Sequence, residues 1–514
     1  MNDDGSGNKR QRVDEFFLYE GGKIPRELRN KTTRVRFGPQ IKYIPDETFM
    51  DCVNLAEVHF GEGIITWIGK RAFCACESLQ EVTIPASVTK LDICAFKNCI
   101  NLAEVKFNEG ALDVIGSGAF RSCRALQQVS IPASVTKLNG GAFRDCINLA
   151  EVEFNGGALE DIGNSAFRSC RALQQFAIPS GVTKLGDNAF YGCINLERVH
   201  FNERLKIIGD FAFQNCKALR QVSPPASVIV LGYGAFAYCD NLAEVQLYDG
   251  LQIIEGGAFY DCMALRQVSI PSAVTELGER AFQGCTNLAR VHFVEGSLQI
   301  IEECTFRECR ALQSVTIPSS VTELDDWAFC DCNFTEATLL GGERLINREF
   351  LDRGISSGEF PLNHEQLNQN AFCNSSLATI KVSASRVLSQ RMARLPQECR
   401  QSVEGMIRYL PRLELTQDDD VLVCFSVIHG ASENDEFSVD IEDTDNQAAK
   451  SLHKVLQYIS FHELRESSIL IELAMWKSRL DEGQARADSR TTLPDPAKYL
   501  IMEYCGFTDF LKVC

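Results

Sequence analysis

Cysteine is the residue type that offers the most chemistry in this sequence. The chain has 22 cysteines among 514 residues, and four thiolates can bind zinc tetrahedrally. Two groups place four cysteines within a short stretch: Cys74, Cys76, Cys94 and Cys99, and then Cys304, Cys309, Cys330 and Cys332. Their spacings differ from the C-x₂-C pairs that are usual in zinc sites. We therefore expect these cysteines to pack in a core and to bind no metal.

Histidine offers a second route, as a metal ligand or an acid–base catalyst. Of the seven histidines, His59, His200 and His292 share one position of a repeated pattern. Successive strands of a sheet lie about 4.8 Å apart, which would place these three too far apart to share a metal. The sequence also lacks the H-E-x-x-H motif of zinc peptidases. We expect no catalytic residue and no cofactor; the alternative is an enzyme site within residues 384–514.

These residues belong to a repeat of about 23 residues. Its marker is a phenylalanine followed three residues later by a cysteine, and it occurs about thirteen times. The phenylalanines are Phe49, Phe73, Phe96, Phe120, Phe143, Phe167, Phe190, Phe213, Phe236, Phe259, Phe282, Phe306 and Phe329, with a weak further copy at Phe372. Such a period predicts a solenoid, in which each coil buries its apolar face against its neighbours.

One repeat shows which elements each coil contains. Val129 and Ile131 are two residues apart, which indicates a strand, and Pro132 ends it because proline has no N–H. Residues 135–138 predict a nearly straight return segment, and the stretch around Phe143 predicts a tight helical turn. Coils of this proline form alternate with an acidic, glycine-bearing form, so the full period is about 47 residues. Pro224 and Pro225 stand together in one proline-form coil.

The stretch "LQQVSIPASVTKLNGGAFRDC" resembles a leucine-rich repeat of the BspA-like type. This resemblance implies an α/β solenoid with a parallel sheet of about 13–14 coils, and a protein-interaction scaffold without catalytic residues to transfer. We assign residues 32–383 to it, with an irregular insertion at about 333–370. Residues 1–31 are expected to form a flexible N-terminal arm and cap.

Residues 384–514 are expected to form a smaller, mainly α-helical C-terminal domain, because their apolar spacing becomes helical. The stretch "YISFHELRESSILIELAMWKSRLDEG" and the later "LPDPAKYLIMEYCGF" are similar to a tail that follows such repeats in some algal proteins. Between the helical stretches, "ASENDEFSVDIEDTDN" predicts an acidic, mobile loop. This domain would cap the solenoid or bind a second partner.

The formal net charge of −18 disfavours nucleic acid and anionic membrane surfaces as partners. The first residues, "MNDDGSGNKRQRVDEFF", lack the apolar segment of a secretory signal. We therefore expect a cytoplasmic location, a reducing compartment and free thiols. A nuclear location is the alternative if residues 9–12, Lys-Arg-Gln-Arg, act as a localisation signal.

The strand residues that point out of the core are the candidate partner-binding residues, because solenoids commonly bind proteins on such faces. These positions hold Glu57, His59, Glu81, Thr83, Glu104, Lys106, Glu151, Glu153, Arg198, His200, Glu244, Arg290 and His292. Carboxylates dominate the first third of this face, which predicts a partner with a basic segment. The expected function is a non-enzymatic protein-interaction scaffold. A secreted or cell-surface adhesin with the same repeats is the alternative, and a solvated face without a partner is the third.

Overall fold

The fold is a parallel-sheet solenoid whose coils carry two strands each, as the repeat predicts. The computed structural model describes residues 16–22, 24–61, 64–341, 368–384, 386–416, 420–431, 437–442 and 447–481. Two compact units divide the chain, Met1–Leu288 and Ala289–Cys514. Lys9 to Arg12, proposed as a localisation signal, lie outside the described residues.

The longer strand of each coil in the first unit belongs to what we call the first series. Its members are β1 (Phe17–Tyr19), β2 (Arg34–Phe37), β4 (Glu57–His59), β6 (Glu81–Ile84), β8 (Glu104–Phe107), β10 (Gln128–Ile131), β12 (Glu151–Phe154), β14 (Gln175–Ala177), β16 (Arg198–His200), β18 (Gln221–Val222), β20 (Glu244–Val245) and β22 (Gln267–Ile270). They pair in parallel in short groups, β1–β2–β4, β6–β8, β10–β12, β14–β16 and β18–β20.

The return segments form the second series, in which each strand has two residues. Its members in the first unit are β3 (Tyr43–Ile44), β5 (Trp67–Ile68), β7 (Lys90–Leu91), β9 (Val114–Ile115), β11 (Lys137–Leu138), β13 (Asp161–Ile162), β15 (Lys184–Leu185), β17 (Ile207–Ile208), β19 (Val230–Leu231), β21 (Ile253–Ile254) and β23 (Glu276–Leu277). All eleven join in one parallel sheet. The sequence did not indicate that the return segments, and not the longer strands, form the continuous sheet.

Proline explains why the first series pairs two strands at a time from β6 to β20. Asn155 donates its backbone N–H to Ile131 O at 3.0 Å, which extends the β10–β12 ladder. Pro132, which follows Ile131, has no N–H to donate towards β8. The alternation of coil types therefore appears in the structure as paired strands, in agreement with the predicted double period.

The predicted core phenylalanines are buried and stacked along the first unit. Each ring from Phe49 to Phe282 is 0% exposed, and neighbouring rings such as Phe143 and Phe167 are nearly parallel with centroids 5.6 Å apart. The turn around each ring is not a simple helical turn. Around Phe143, for example, Gly141 and Asp145 both have left-handed backbone conformations, with φ of 65° and 62°.

The described part of the N-terminal segment, from residue 16, forms regular elements, and residues 1–15 of the expected flexible arm lie outside the described residues. Strand β1 pairs in parallel with β2, with Phe17 opposite Val35. The ring of Tyr19 is buried and lies 5.3 Å from that of Phe49. A short helix, α1 (Arg26–Arg29), follows. These elements cover the first coil of the solenoid.

The second unit contains further coils and an antiparallel extension of their sheet. Its strands are β24 (Arg290–Phe293), β25 (Ile300–Ile301), β26 (Ser314–Ile317), β27 (Glu323–Leu324), β28 (Glu336–Leu339), β29 (Thr379–Ser383), β30 (Leu413–Leu415), β31 (Val421–Ala431) and β32 (Phe437–Glu442). Strands β26, β28 and β29 pair in parallel, and β31 then pairs antiparallel with β29, β30 and β32.

One expectation for this unit needs adjustment and another is confirmed. The irregular insertion begins later than residue 333, because β28 continues the coil pattern; its residues 342–367 lie outside the described residues. The weak repeat at Phe372 is a true coil: a 3-10 helix, Gln369–Phe372, places this ring 5.6 Å from Phe329.

Helices follow the last coil, as expected: α2 (Arg386–Arg394), α3 (Gln397–Ile407) and α4 (Gln447–Asp481). Strands β30 to β32 were not predicted. In particular, β32 lies within the stretch expected to be a mobile acidic loop, so that prediction is wrong for Phe437–Glu442. None of the described helices is long and apolar enough to cross a membrane. The domain boundary at residue 384 stays a prediction.

Candidate protein-binding face

The outward residues of the first-series strands form an ordered polar face, which we call the strand face. Alternate residues of β6, for example, are exposed and buried, so Glu81 and Thr83 point to solvent while Val82 and Ile84 enter the core. Eleven of the thirteen candidate residues are exposed: His59, Glu81, Thr83, Lys106, Glu151, Glu153, Arg198, His200, Glu244, Arg290 and His292. The other two, Glu57 and Glu104, are half-buried.

Two glutamates of the strand face, Glu57 and Glu104, have cationic partners within the structure. Glu57 accepts hydrogen bonds from Arg34 and from His59, and these partners hold its pKa below the ordinary value. Glu104 accepts a hydrogen bond from Lys106 Nζ at 2.9 Å, and that ion pair raises the pKa of Lys106. The sequence predicted that these charged side chains face outward, but it did not predict which of them form ion pairs. The carboxylates of Glu57 and Glu104 are therefore already neutralised within the fold.

Glu81, Glu151 and Glu153 keep their carboxylates exposed. Glu81 lies opposite Glu104 in the β6–β8 pair. Glu151 and Glu153 lie opposite the uncharged Gln128 and Ser130. Among the described residues, none of these three carboxylates has a cation within 4 Å. The negative charge available to a partner is concentrated on them.

A recess interrupts the strand face further along the first unit. Its volume is about 550 Å³, and its lining includes His200, Gln221, Ser223, Glu244, Gln246 and Gln267. Its polar side chains are three amides, one hydroxyl, one carboxylate and one imidazole, and the rest of its lining is Val199, Phe201, Val222 and Val245. Such a set donates and accepts hydrogen bonds in several directions, which suits the backbone and polar side chains of a peptide.

Two features of the sequence produce this recess. Pro224 stands where the neighbouring proline-form coils have isoleucine, and β18 ends at Val222, two residues earlier. On the strand face, the small Ser223 lies between the larger His200 and Gln246 of the adjacent coils. Its hydroxyl lies 3.3 Å from the hydroxyl of Tyr248. The sequence reasoning noted the proline pair but did not predict the recess, and its candidate residues include two of the six polar side chains that line it, His200 and Glu244.

The repeated cysteines are core residues with a bonding role. Their thiols donate to the backbone carbonyl oxygen of the core phenylalanine in the preceding coil. Cys146 donates to Phe120 O at 3.1 Å, and Cys193 donates to Phe167 O at 3.2 Å. Burial raises the pKa of Cys146 and of Cys193 to about 12. These thiols are therefore protonated at neutral pH. Across the described part of the chain, no three His, Cys, Asp or Glu side chains converge as metal ligands.

Sequence comparison with protein families now adds to this geometry. The BspA type leucine rich repeat region matches residues 29–150, 160–289 and 287–391 with six copies. The chain belongs to this family. The match ends at residue 391, so the similarity of the C-terminal stretch to algal tails stays a prediction.

Solved structures of leucine-rich repeat proteins are similar to this chain over most of their own length. A leucine-rich repeat protein from Bacteroides ovatus is 25% identical, with 60% of this chain and 79% of that chain covered and a TM-score of 0.48. A leucine-rich repeat protein from Eubacterium ventriosum is 22% identical, with coverage of 60% and 84% and a TM-score of 0.39. A leucine rich cell surface protein from Faecalibacterium prausnitzii is 24% identical, with coverage of 69% and 90% and a TM-score of 0.36. No curated protein matches the chain.

Proposed function

We propose that this BspA-type repeat protein is a non-enzymatic scaffold that binds a protein partner on the strand face. The observation that carries the proposal is the polar recess in the middle of that face. The recess offers a concave surface with convergent hydrogen-bonding groups. Such concave sites are where proteins commonly bind ligands. The recess would anchor the partner, and the rest of the face would give contact area.

The exposed carboxylates indicate the character of the partner segment that approaches the other part of the face. Glu81, Glu151 and Glu153 leave negative charge available, while Glu57 and Glu104 are compensated by their own cations. A basic partner segment would be attracted to the first three. Because these side chains are exposed, their attraction should weaken with added salt.

We also propose that the protein works in a reducing compartment, the cytoplasm or the nucleus. The buried thiols support this location, because their hydrogen bonds to carbonyl oxygens need the reduced form. Alkylation of denatured, non-reduced protein taken from its native compartment should modify nearly all 22 cysteines. Extensive oxidation would contradict the location and favour the adhesin alternative.

The anchoring role of the recess can be tested by filling it. Ser223→Trp puts a large ring into the recess from an exposed position, so the fold should be retained. The full-length variant should lose the partners that the wild-type chain captures. Thr83→Trp is the matched control, because Thr83 occupies the same exposed column in a coil without the recess. If both variants keep every partner, the recess is not the anchor.

The electrostatic part of the proposal has its own test. A triple change of Glu81, Glu151 and Glu153 to Gln should reduce partner capture and remove most of its salt dependence. The control changes three exposed acids of the second series by the same total charge: Glu160→Gln, Asp161→Asn and Glu276→Gln. Equal losses in both triple variants would mean that only net charge matters, and the strand-face assignment would then be wrong.

A further inference from the structure

A row of cations follows the phenylalanine stack in four successive coils of the first unit. In each coil the residue directly after the core phenylalanine is half-buried at the surface of the turn. We call these residues the cationic row: Lys97, Arg121, Arg144 and Arg168. The next coils have Tyr191, Gln214 and Ala237 at this position, so the fold does not require a cation there.

The spacing of the row follows from the rings beside it. The centroids of Phe96, Phe120, Phe143 and Phe167 are 5.4, 5.4 and 5.6 Å apart in turn. The backbones of the same turns are joined by hydrogen bonds from coil to coil, such as Ser122 N to Arg144 O at 2.8 Å. Neighbouring members of the row are therefore one coil spacing apart, and the row is about 16 Å long.

The row has too few carboxylates to neutralise it. Asp145 lies 3.5 Å from the Nε atoms of both Arg121 and Arg144. Both Nε atoms are buried, and neither donates a hydrogen bond to any described residue. Burial and the neighbouring charges of Arg121 and Arg168 lower the pKa of Arg144. Among the described residues, Asp145 is the one carboxylate within 4 Å of the row and it pairs with Arg121 and Arg144 only, so the row keeps a net positive charge that an anion can offset.

The far end of the row is fixed in position. The guanidinium of Arg168 lies 4.1 Å from the centre of the Tyr191 ring. The Nη1 atom of Arg168 also donates to Asn188 Oδ1 at 3.1 Å. A cation held in this way loses less conformational freedom when an anion binds, which favours binding.

We propose that the cationic row binds an acidic peptide segment of a partner protein. Arginine donors match carboxylates in fork geometry, and a row of about 16 Å spans about five residues of extended peptide. The site is separate from the strand face, because it lies on the turn after each phenylalanine. A nucleic acid is a poorer fit, since the ring of Tyr191, on which a base could stack, is already covered by Arg168.

The first experiment measures binding of a fluorescently labelled oligoglutamate peptide to the full-length chain at low salt. The variant R121Q/R144Q/R168Q should bind about ten-fold more weakly, since three exposed ion pairs are lost. Glutamine is compatible with this turn because Gln214 occupies the same position. The control K137Q/K184Q/K206Q changes three exposed lysines on or beside the second-series strands, and it should stay within about two-fold of the wild type.

A second variant strengthens the site, which loss of folding could not imitate. Asp145→Asn removes the carboxylate within the row and should tighten peptide binding about three-fold; asparagine tolerates the left-handed backbone found there. Equal weakening by the two triple variants would overturn the proposal, as would unchanged binding in Asp145→Asn. If a single-stranded RNA of equal charge binds more tightly than the peptide and depends on the same arginines, the row is a nucleic-acid site and the peptide proposal fails.

Discussion

Alkaline conditions should destabilise this protein through its buried thiols. Cys146, Cys193 and Cys239 have pKa values raised by burial to about 12, against 9.0 for an unburied thiol. Below pH 9 each thiol is protonated in both the folded and the unfolded chain, so its contribution is constant. Above pH 9 the unfolded chain loses protons that the folded chain keeps, and the free energy of unfolding falls until about pH 12.

The magnitude follows from this difference in pKa. Each of the three thiols lowers the free energy of unfolding by about 1.4 kcal/mol for every pH unit above 9. At about pH 10 the three together remove about 4 kcal/mol relative to neutral pH. Burial raises the pKa of Cys170, Cys216 and Cys262 as well, so the wild-type chain should lose more than this.

The assay is urea unfolding under reducing conditions at about pH 8 and about pH 10. The control is the triple variant Cys146→Ser, Cys193→Ser and Cys239→Ser. Serine keeps a donor towards the phenylalanine carbonyl and does not ionise in this range. Between the two pH values, the free energy of unfolding of the variant should fall by about 4 kcal/mol less than that of the wild type. Equal losses of stability in the two proteins would show that the thiols of the repeated cysteines ionise in the folded chain, and the burial argument would be refuted.

Three further changes probe the core, an ion cluster and a close backbone approach. Phe190→Ala should cost about 3–5 kcal/mol because the ring is 0% exposed; hydrogen exchange should show excess opening in the neighbouring coils, and its absence would contradict a core role. Lys381→Met should cost about 1–2 kcal/mol in urea unfolding, since Nζ lies 2.9 and 2.7 Å from two half-exposed glutamates; unchanged stability would contradict this. Gly250→Ala should cost about 1–3 kcal/mol, because the new Cβ would overlap a carbonyl oxygen of the preceding coil. Gly405→Ala, with open space in helix α3, should instead stabilise by about 1 kcal/mol; equal effects of the two glycine changes would refute the steric reason.

The C-terminal region shows where reading of local patterns was incomplete. The apolar spacing correctly predicted helices, including α3 and α4. It did not predict that Val421–Ala431 forms a strand. That strand is stabilised by pairing with β29, where Ile380 lies opposite Phe425. Such a partner is distant in sequence, so the local pattern does not reveal it.

On the strand face too, the sequence predicts some features of single side chains and not others. The two-residue period placed Glu57 and Glu104 correctly on the outside of their strands. It could not show that Arg34, one coil away, donates to Glu57. Nor could it show the recess, because its volume depends on how Ser223 compares with the side chains of adjacent coils. Pro224 and Pro225 were the signal in the sequence that this coil is unusual. The recess beside them becomes visible only when the coils are packed together.

The sequence by itself determined the repeat, the buried phenylalanines, the positions of the strands within the repeated coils and the columns of residues that face outward. These follow from local chemistry: the spacing of apolar residues, the missing N–H of proline and the recurrence of one unit along the chain. Only the tertiary structure decided that the return segments form the continuous sheet, that each thiol bonds to the preceding coil, and that four cations line up beside the phenylalanine stack. These features depend on the register and distance between neighbouring coils, which side-chain packing sets.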